Sequence, residues 1–114
     1  MSQPAARLSM ASSDNGRTVT FDLMVDGVGY DLTGTTVECH MQNIDTGATT
    51  TVTGVVAEAD QTAYPGRCVT TFAAAQLVAG VYTLEWEITD GTTIITCPGE
   101  ASARPRLTVR SEAA

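Results

Sequence analysis

The chain contains no lysine, and its six basic residues are all arginine. Against them stand 13 Asp and Glu, so the formal net charge is −7 and the pI lies near 4.3. Nucleic-acid binding needs a basic footprint to neutralise phosphates, and this balance excludes it as a general activity. One histidine is present, His40. Acid–base or nucleophilic catalysis needs a nucleophile and an orienting acid within reach of such a residue. No Ser or Cys partner can be placed near its side chain from the sequence, and His40 reads as a surface residue on the outward parity of a strand. No stretch approaches the ~18 apolar residues of a membrane span. The opening MSQPAARLSMASSDNG lacks the continuous apolar run of a secretory signal. The chain is therefore predicted to stay in the cytosol until assembly or lysis, without a membrane partner. Aromatic residues make up only 5%, so the core must be built from Val, Leu, Ile and Ala.

What is present is periodicity. In AGVYTLEWEITDG, Ala79 to Gly91, residues Tyr82, Leu84, Trp86 and Ile88 share one parity, and Thr83, Glu85, Glu87 and Thr89 share the other. A strict period of two over that length is the signature of a half-buried strand. Ala-Gly opens it and Asp-Gly closes it. The same alternation marks Val19, Phe21, Leu23 and Val25, ended by the Asp26-Gly27 turn with a short return through Val28 and Tyr30. A second long strand runs through Val37, Cys39 and Met41 to the turn at Asp45-Thr46-Gly47. A Thr-rich strand is predicted over 49–57, polar enough to lie at an edge. Further strands follow at 67–72, through Ile94 and Ile95 to Cys97, and around Leu107 and Val109. Ala73 to Gly80 predicts a single helical turn, and Glu100 to Arg104 a crossover.

At 114 residues the chain is one domain. About seven short strands with turn signals between them and almost no helix predict an all-β, immunoglobulin-like antiparallel β-sandwich. The Cys…Trp…Cys spacing of antibody domains is missing. The sandwich is predicted over 16–110, preceded by an extended N-terminal arm over 1–15 and followed by a short tail over 111–114. Deleting the residues before Asp14 is on this reading harmless to the fold.

Candidate chemistry is thin. Cys39, Cys68 and Cys97 are odd in number and widely spaced, which fits neither a disulfide framework nor a zinc site. They read as small buried hydrophobes, with one disulfide as the alternative and no pairing preferred. Glu85 and Glu87, about 7 Å apart along a strand, have the carboxylate pairing of a glycosidase but no aromatic cleft to go with it, so they read as a solvated face. Asp22, Asp26 and Asp31 are possible calcium oxygens, but turn capping explains them as well. No cofactor or metal is predicted, and no enzymatic activity.

The segments VTFDLMVDGVGYDLTGTTVECHM, PGRCVTTF, AGVYTLEWEITDGTTIITCPG and RLTV together resemble the N-terminal immunoglobulin-like domain of the phage baseplate upper protein family. Asp31-Leu32-Thr33-Gly34 matches its DLTG signature, and Ala79-Gly80, Tyr82 and Leu84-Glu85 match its later strand. The resemblance spans about Arg17 to Val109. It implies a non-enzymatic structural protein of a tailed-phage virion, present in multiple copies and docked on other virion proteins. Members of that family continue into a long C-terminal region, which this sequence lacks, so the resemblance leaves baseplate, tail, neck and capsid decoration open as locations. Arg7, Arg17, Arg104, Arg106 and Arg110 flank an acidic middle and are the candidate partner contacts. The alternative is a host-surface or carbohydrate-binding sandwich using Tyr30, Tyr64 and Trp86.

Overall fold

The computed structural model describes residues 7–11, 16–73, 77–99 and 103–111. In chain order the strands are β1 (Arg7–Ala11), β2 (Arg17–Asp22), β3 (Met24–Val25), β4 (Val28–Gly29), β5 (Thr36–Asn43), β6 (Thr49–Val52), β7 (Val55–Ala57), β8 (Arg67–Phe72), β9 (Gly80–Asp90), β10 (Thr93–Cys97) and β11 (Arg106–Arg110). The larger sheet has the order β1-β11-β9-β5-β6, with β10 also on β9, and the smaller has the order β2-β8-β7. β3 and β4 form a separate hairpin across Asp26-Gly27. Both turn residues have positive φ, 53° and 78°, the mirror-image turn that fits strand twist and favours Asp-Gly. The fold is all-β as predicted and compatible with a β-sandwich, with eleven strands in place of about seven and no α-helix among the described residues.

Alternation builds the core. β9 shows a strict in–out burial pattern, with Tyr82, Leu84, Trp86 and Ile88 all buried. From the facing sheet Phe21 packs on Trp86 with ring centroids 4.2 Å apart. The indole Nε1–H of Trp86 donates to the Thr70 hydroxyl of β8 at 3.0 Å, and Thr70 is fully buried. One residue thus joins the sheets by packing and by a hydrogen bond. Tyr82 adds a second tie. Its hydroxyl donates to the Val78 carbonyl four residues upstream and ties down the corner leading into β9.

Four sequence expectations need correction. Residues 7–11 belong to no free arm: they form β1, paired in parallel with β11, and Met10 is 2% exposed in the core. The Thr-rich stretch is two strands, because β6 pairs with β5 while β7 pairs with β8. The chain changes sheets at Gly54, where an added Cβ would lie 2.8 Å from the Thr71 carbonyl oxygen. The stretch of 17–25 is likewise interrupted at Leu23, whose N–H donates to Gly66. Gly66 has φ +86 and its backbone passes so close to Leu23 that no Cβ fits there. Finally, no crossover separates the last two strands. β10 and β11 lie on the same edge of β9, Cys97 opposite Trp86 and Arg106 opposite Thr83. Nine steps along one side match three on the other, so the connection has six residues more than the register needs. The predicted helical turn falls partly on residues 74–76, and the crossover partly on 100–102, both outside the described residues.

The three cysteines are free and buried. Cys39 and Cys97 flank Trp86 on its two neighbouring strands, and Cys68 sits opposite Phe21. All three therefore line the same aromatic pair, as the small hydrophobes the sequence suggests. Burial pushes each thiol up, Cys68 to about 11 from its ordinary 9.0. A thiol held protonated by the fold contributes stability below its unfolded pKa and loses it as pH rises through the folded value. Stability should therefore decline from pH 9 towards 11, and replacing Cys68 with Ala should flatten that slope in denaturant titrations. Iodoacetamide at pH 8 should leave the folded chain unmodified and label it three times once unfolded.

Candidate functional site on the outer face of the larger sheet

The parity that buries Trp86 turns Thr83, Glu85 and Glu87 outwards on β9 and Glu38, His40 and Gln42 outwards on β5. Register sets them side by side: Gln42 opposite Thr83, His40 opposite Glu85, and Glu38 opposite Glu87. β6 adds Thr49 opposite Gln42, and β11 adds Arg106 opposite Thr83. A sheet face of this kind is ordinarily flat. Here the side chain of Arg104, two residues before β11, reaches over it. Pro105 is buried and accepts the Leu84 N–H through its carbonyl, which fixes the return of the loop.

Arg104 Nη2 meets Glu85 Oε2 at 2.8 Å, and Glu85 Oε1 lies 3.7 Å from His40 Nδ1. The side chains of Arg104 and Glu85 are about a quarter exposed, 27% and 26%, so solvent screens the pair. Arg104 Nε is buried and has no partner. Together His40, Gln42, Thr49, Thr83, Glu85 and Arg104 enclose a polar depression of about 240 Å³. Its walls offer hydroxyls, an amide, a carboxylate, an imidazole and a guanidinium, so it suits a polar group that both donates and accepts hydrogen bonds. Glu85→Ala should release Arg104 and speed amide exchange in residues 103–106. Global stability should fall by only about 1 kcal/mol or less, as for other partly exposed ion pairs.

The five arginines singled out in the sequence divide between the sheets. Arg106 and Arg110 are exposed on β11. Arg7 lies opposite Arg106 in the β1 register, and Ala11 lies opposite Arg110. Arg104 is turned over the sheet face. Arg17 is exposed at the start of β2, in the other sheet. The sequence does not reveal the His40–Glu85–Arg104 line. His40 and Glu85 are each legible as outward, but their meeting depends on the β5–β9 register, and that of Arg104 on the loop.

The other candidates have structural partners. Asp22 pairs with Arg67 at 3.0 Å. Asp31 accepts the Thr33 N–H at 2.9 Å, and hydrogen bonds from Thr33 hold its carboxyl below the ordinary range. Tyr30 donates to Asp90, which pushes its own phenol up. Tyr64 stacks under the Arg67 guanidinium, 4.4 Å from the ring centre, and Trp86 is buried. Among the described residues no three His, Cys, Asp or Glu side chains are grouped to hold a metal ion. No protein-family model matches the chain, and no curated protein matches it.

Proposed function

We propose that this chain is a non-enzymatic structural protein of a tailed-phage virion, docked in multiple copies on neighbouring virion proteins as a baseplate, tail, neck or capsid-decoration component. The observation that carries the docking is where the arginines lie. On a chain of net charge −7, Arg106 and Arg110 stand exposed on β11, Arg7 belongs to the edge strand beside it, and Arg17 starts an edge strand of the second sheet. Such positions meet acidic neighbours and steer association. The residues behind the family resemblance also hold positions that shape the domain. Leu32 is 2% exposed, and its N–H donates to the buried Gln61 side chain. Gly80, Tyr82 and Leu84 begin the central strand. Cryo-electron microscopy of particles from the source virus tests this reading. Repeated copies traced on head, neck or tail are the expected result, and particles lacking the chain overturn it.

The polar depression favours one alternative, a host-surface or carbohydrate-binding module. It predicts glycan-array binding that is lost in Glu85→Ala.

A further inference from the structure

Among the described residues, the sandwich carries opposite charges at its two ends. β9 has 11 residues, which span about 33 Å. That exceeds the 30 and 25 Å extents of the molecule, so β9 runs along its 46 Å axis. Strand register then orders the remaining residues along the same axis.

At the end where β9 finishes, Asp90 accepts a hydrogen bond from Tyr30. Asp31 follows Tyr30, and the Asp26 turn leads into it. Asp22 lies opposite Arg67, whose carbonyl accepts the Glu58 N–H, and Asp60 follows in the same loop. Arg67 is the only described arginine at this end. At the opposite end, Val109 lies opposite Gly80, and Arg110 projects one residue beyond. Arg17 lies opposite Phe72, the last residue of β8 before the chain turns towards β9. Arg106 and Arg7 sit a few residues inward. Asp45, next to Ile44 whose N–H donates to Val81, is the only described acid there. Asp14, Glu100 and Glu112 fall outside the described residues.

We infer that copies of this chain associate end to end, the arginine end of one resting on the aspartate end of the next. Each end is complementary to the other and repels its own kind. The contact is therefore heterologous and repeats along a row or ring instead of closing as a two-fold dimer. Lateral packing of two acidic bodies gains nothing comparable. An end 30 by 25 Å across offers less than the roughly 800 Å² per partner of a standard interface. The contact is accordingly weak between free chains and strengthens where an assembly holds them close. This deepens the virion reading by naming one neighbour as a second copy.

Sedimentation velocity on the purified full chain is the test. Between about 0.02 M and 0.5 M salt the Debye length falls from roughly 20 to 4 Å. The expected result is self-association that rises with concentration at low salt and weakens at least tenfold at high salt. The double variant Arg106→Glu/Arg110→Glu should stay monomeric, and so should Asp26→Asn/Glu58→Lys, each with wild-type circular dichroism. Mixed together, the two should form a heterodimer, because one keeps its acidic end and the other its basic end. A wild-type chain that is monomeric at low salt, association indifferent to salt, or an unchanged arginine variant would each overturn the inference. None of these bears on whether the chain is found in particles, which is how the virion reading fails.

Discussion

Trp86→Ala is expected to leave the chain unfolded near room temperature. Trp86 is 1% exposed and packs on Phe21 from the other sheet. Truncating a buried Trp or Phe to Ala costs about 3–5 kcal/mol, the lost transfer energy plus that of the cavity left behind. Domains of this kind have only about 5–15 kcal/mol in total. The mutation also removes the hydrogen bond that the fully buried Thr70 hydroxyl accepts from the indole. Losing a buried hydrogen bond adds about 0.5–1.5 kcal/mol. The two contributions can be separated. Trp86→Phe keeps an aromatic ring against Phe21 and loses the hydrogen bond. Thr70→Val keeps the shape and orphans the indole N–H. Denaturant titration should rank Trp86→Ala well below both, with the two milder variants each losing about 1–3 kcal/mol. A Trp86→Ala variant that unfolds at the wild-type midpoint would refute this account of how the sheets are joined.

The second large effect is expected from removing residues 1–11. Read as an arm, this segment is dispensable, but its described part is a strand of the larger sheet. The deletion takes Met10 out of the core, where it is 2% exposed, and loss of a buried Met side chain alone costs about 2–5 kcal/mol. It also strips β11 of its five-residue parallel partner. β11 then becomes an edge with unpaired N–H and C=O groups and an alternating apolar pattern, open to aggregation. The truncated chain should melt lower, by about 4 °C or more for each kcal/mol lost in a domain near this size, and should aggregate on heating. Met10→Ala in the full chain separates the packing loss from the edge effect. If the truncated chain melts with the wild type, β1 contributes nothing to the fold.

The elements that were legible from the sequence are those whose own alternation decides their burial. β8, β9 and β11 stand where Arg67–Phe72, Tyr82–Ile88 and Leu107–Val109 place them, with inward and outward faces as the period of two requires. What escaped depended on partners distant in sequence. β1 carries a weak pattern of its own, RLSMA, and is ordered by a strand 99 positions later, Arg7 lying opposite Arg106. The break at Gly54 is invisible to periodicity, because β-branched residues continue on both sides of it. The candidate site was half visible. Parity assigned His40 and Glu85 to outward faces, while the reading of Glu85 and Glu87 as a solvated face missed the ion pair with Arg104. No local pattern states that the Arg104 side chain, just before β11, reaches Glu85 on β9.

The parallel pairing of β1 with β11 also bears on how the chain is made. β1 has no partner until β11, 99 positions further along the chain, has emerged, so the larger sheet cannot be completed before then. Contacts of such long sequence separation are slow to form, since the intervening loop must close before they are rewarded. In the interval the waiting β1 of one chain can be captured by the β11 of another, exchanging identical strands at little cost. Crowded synthesis of many copies would then yield intertwined pairs alongside monomers, from one sequence and one set of contacts.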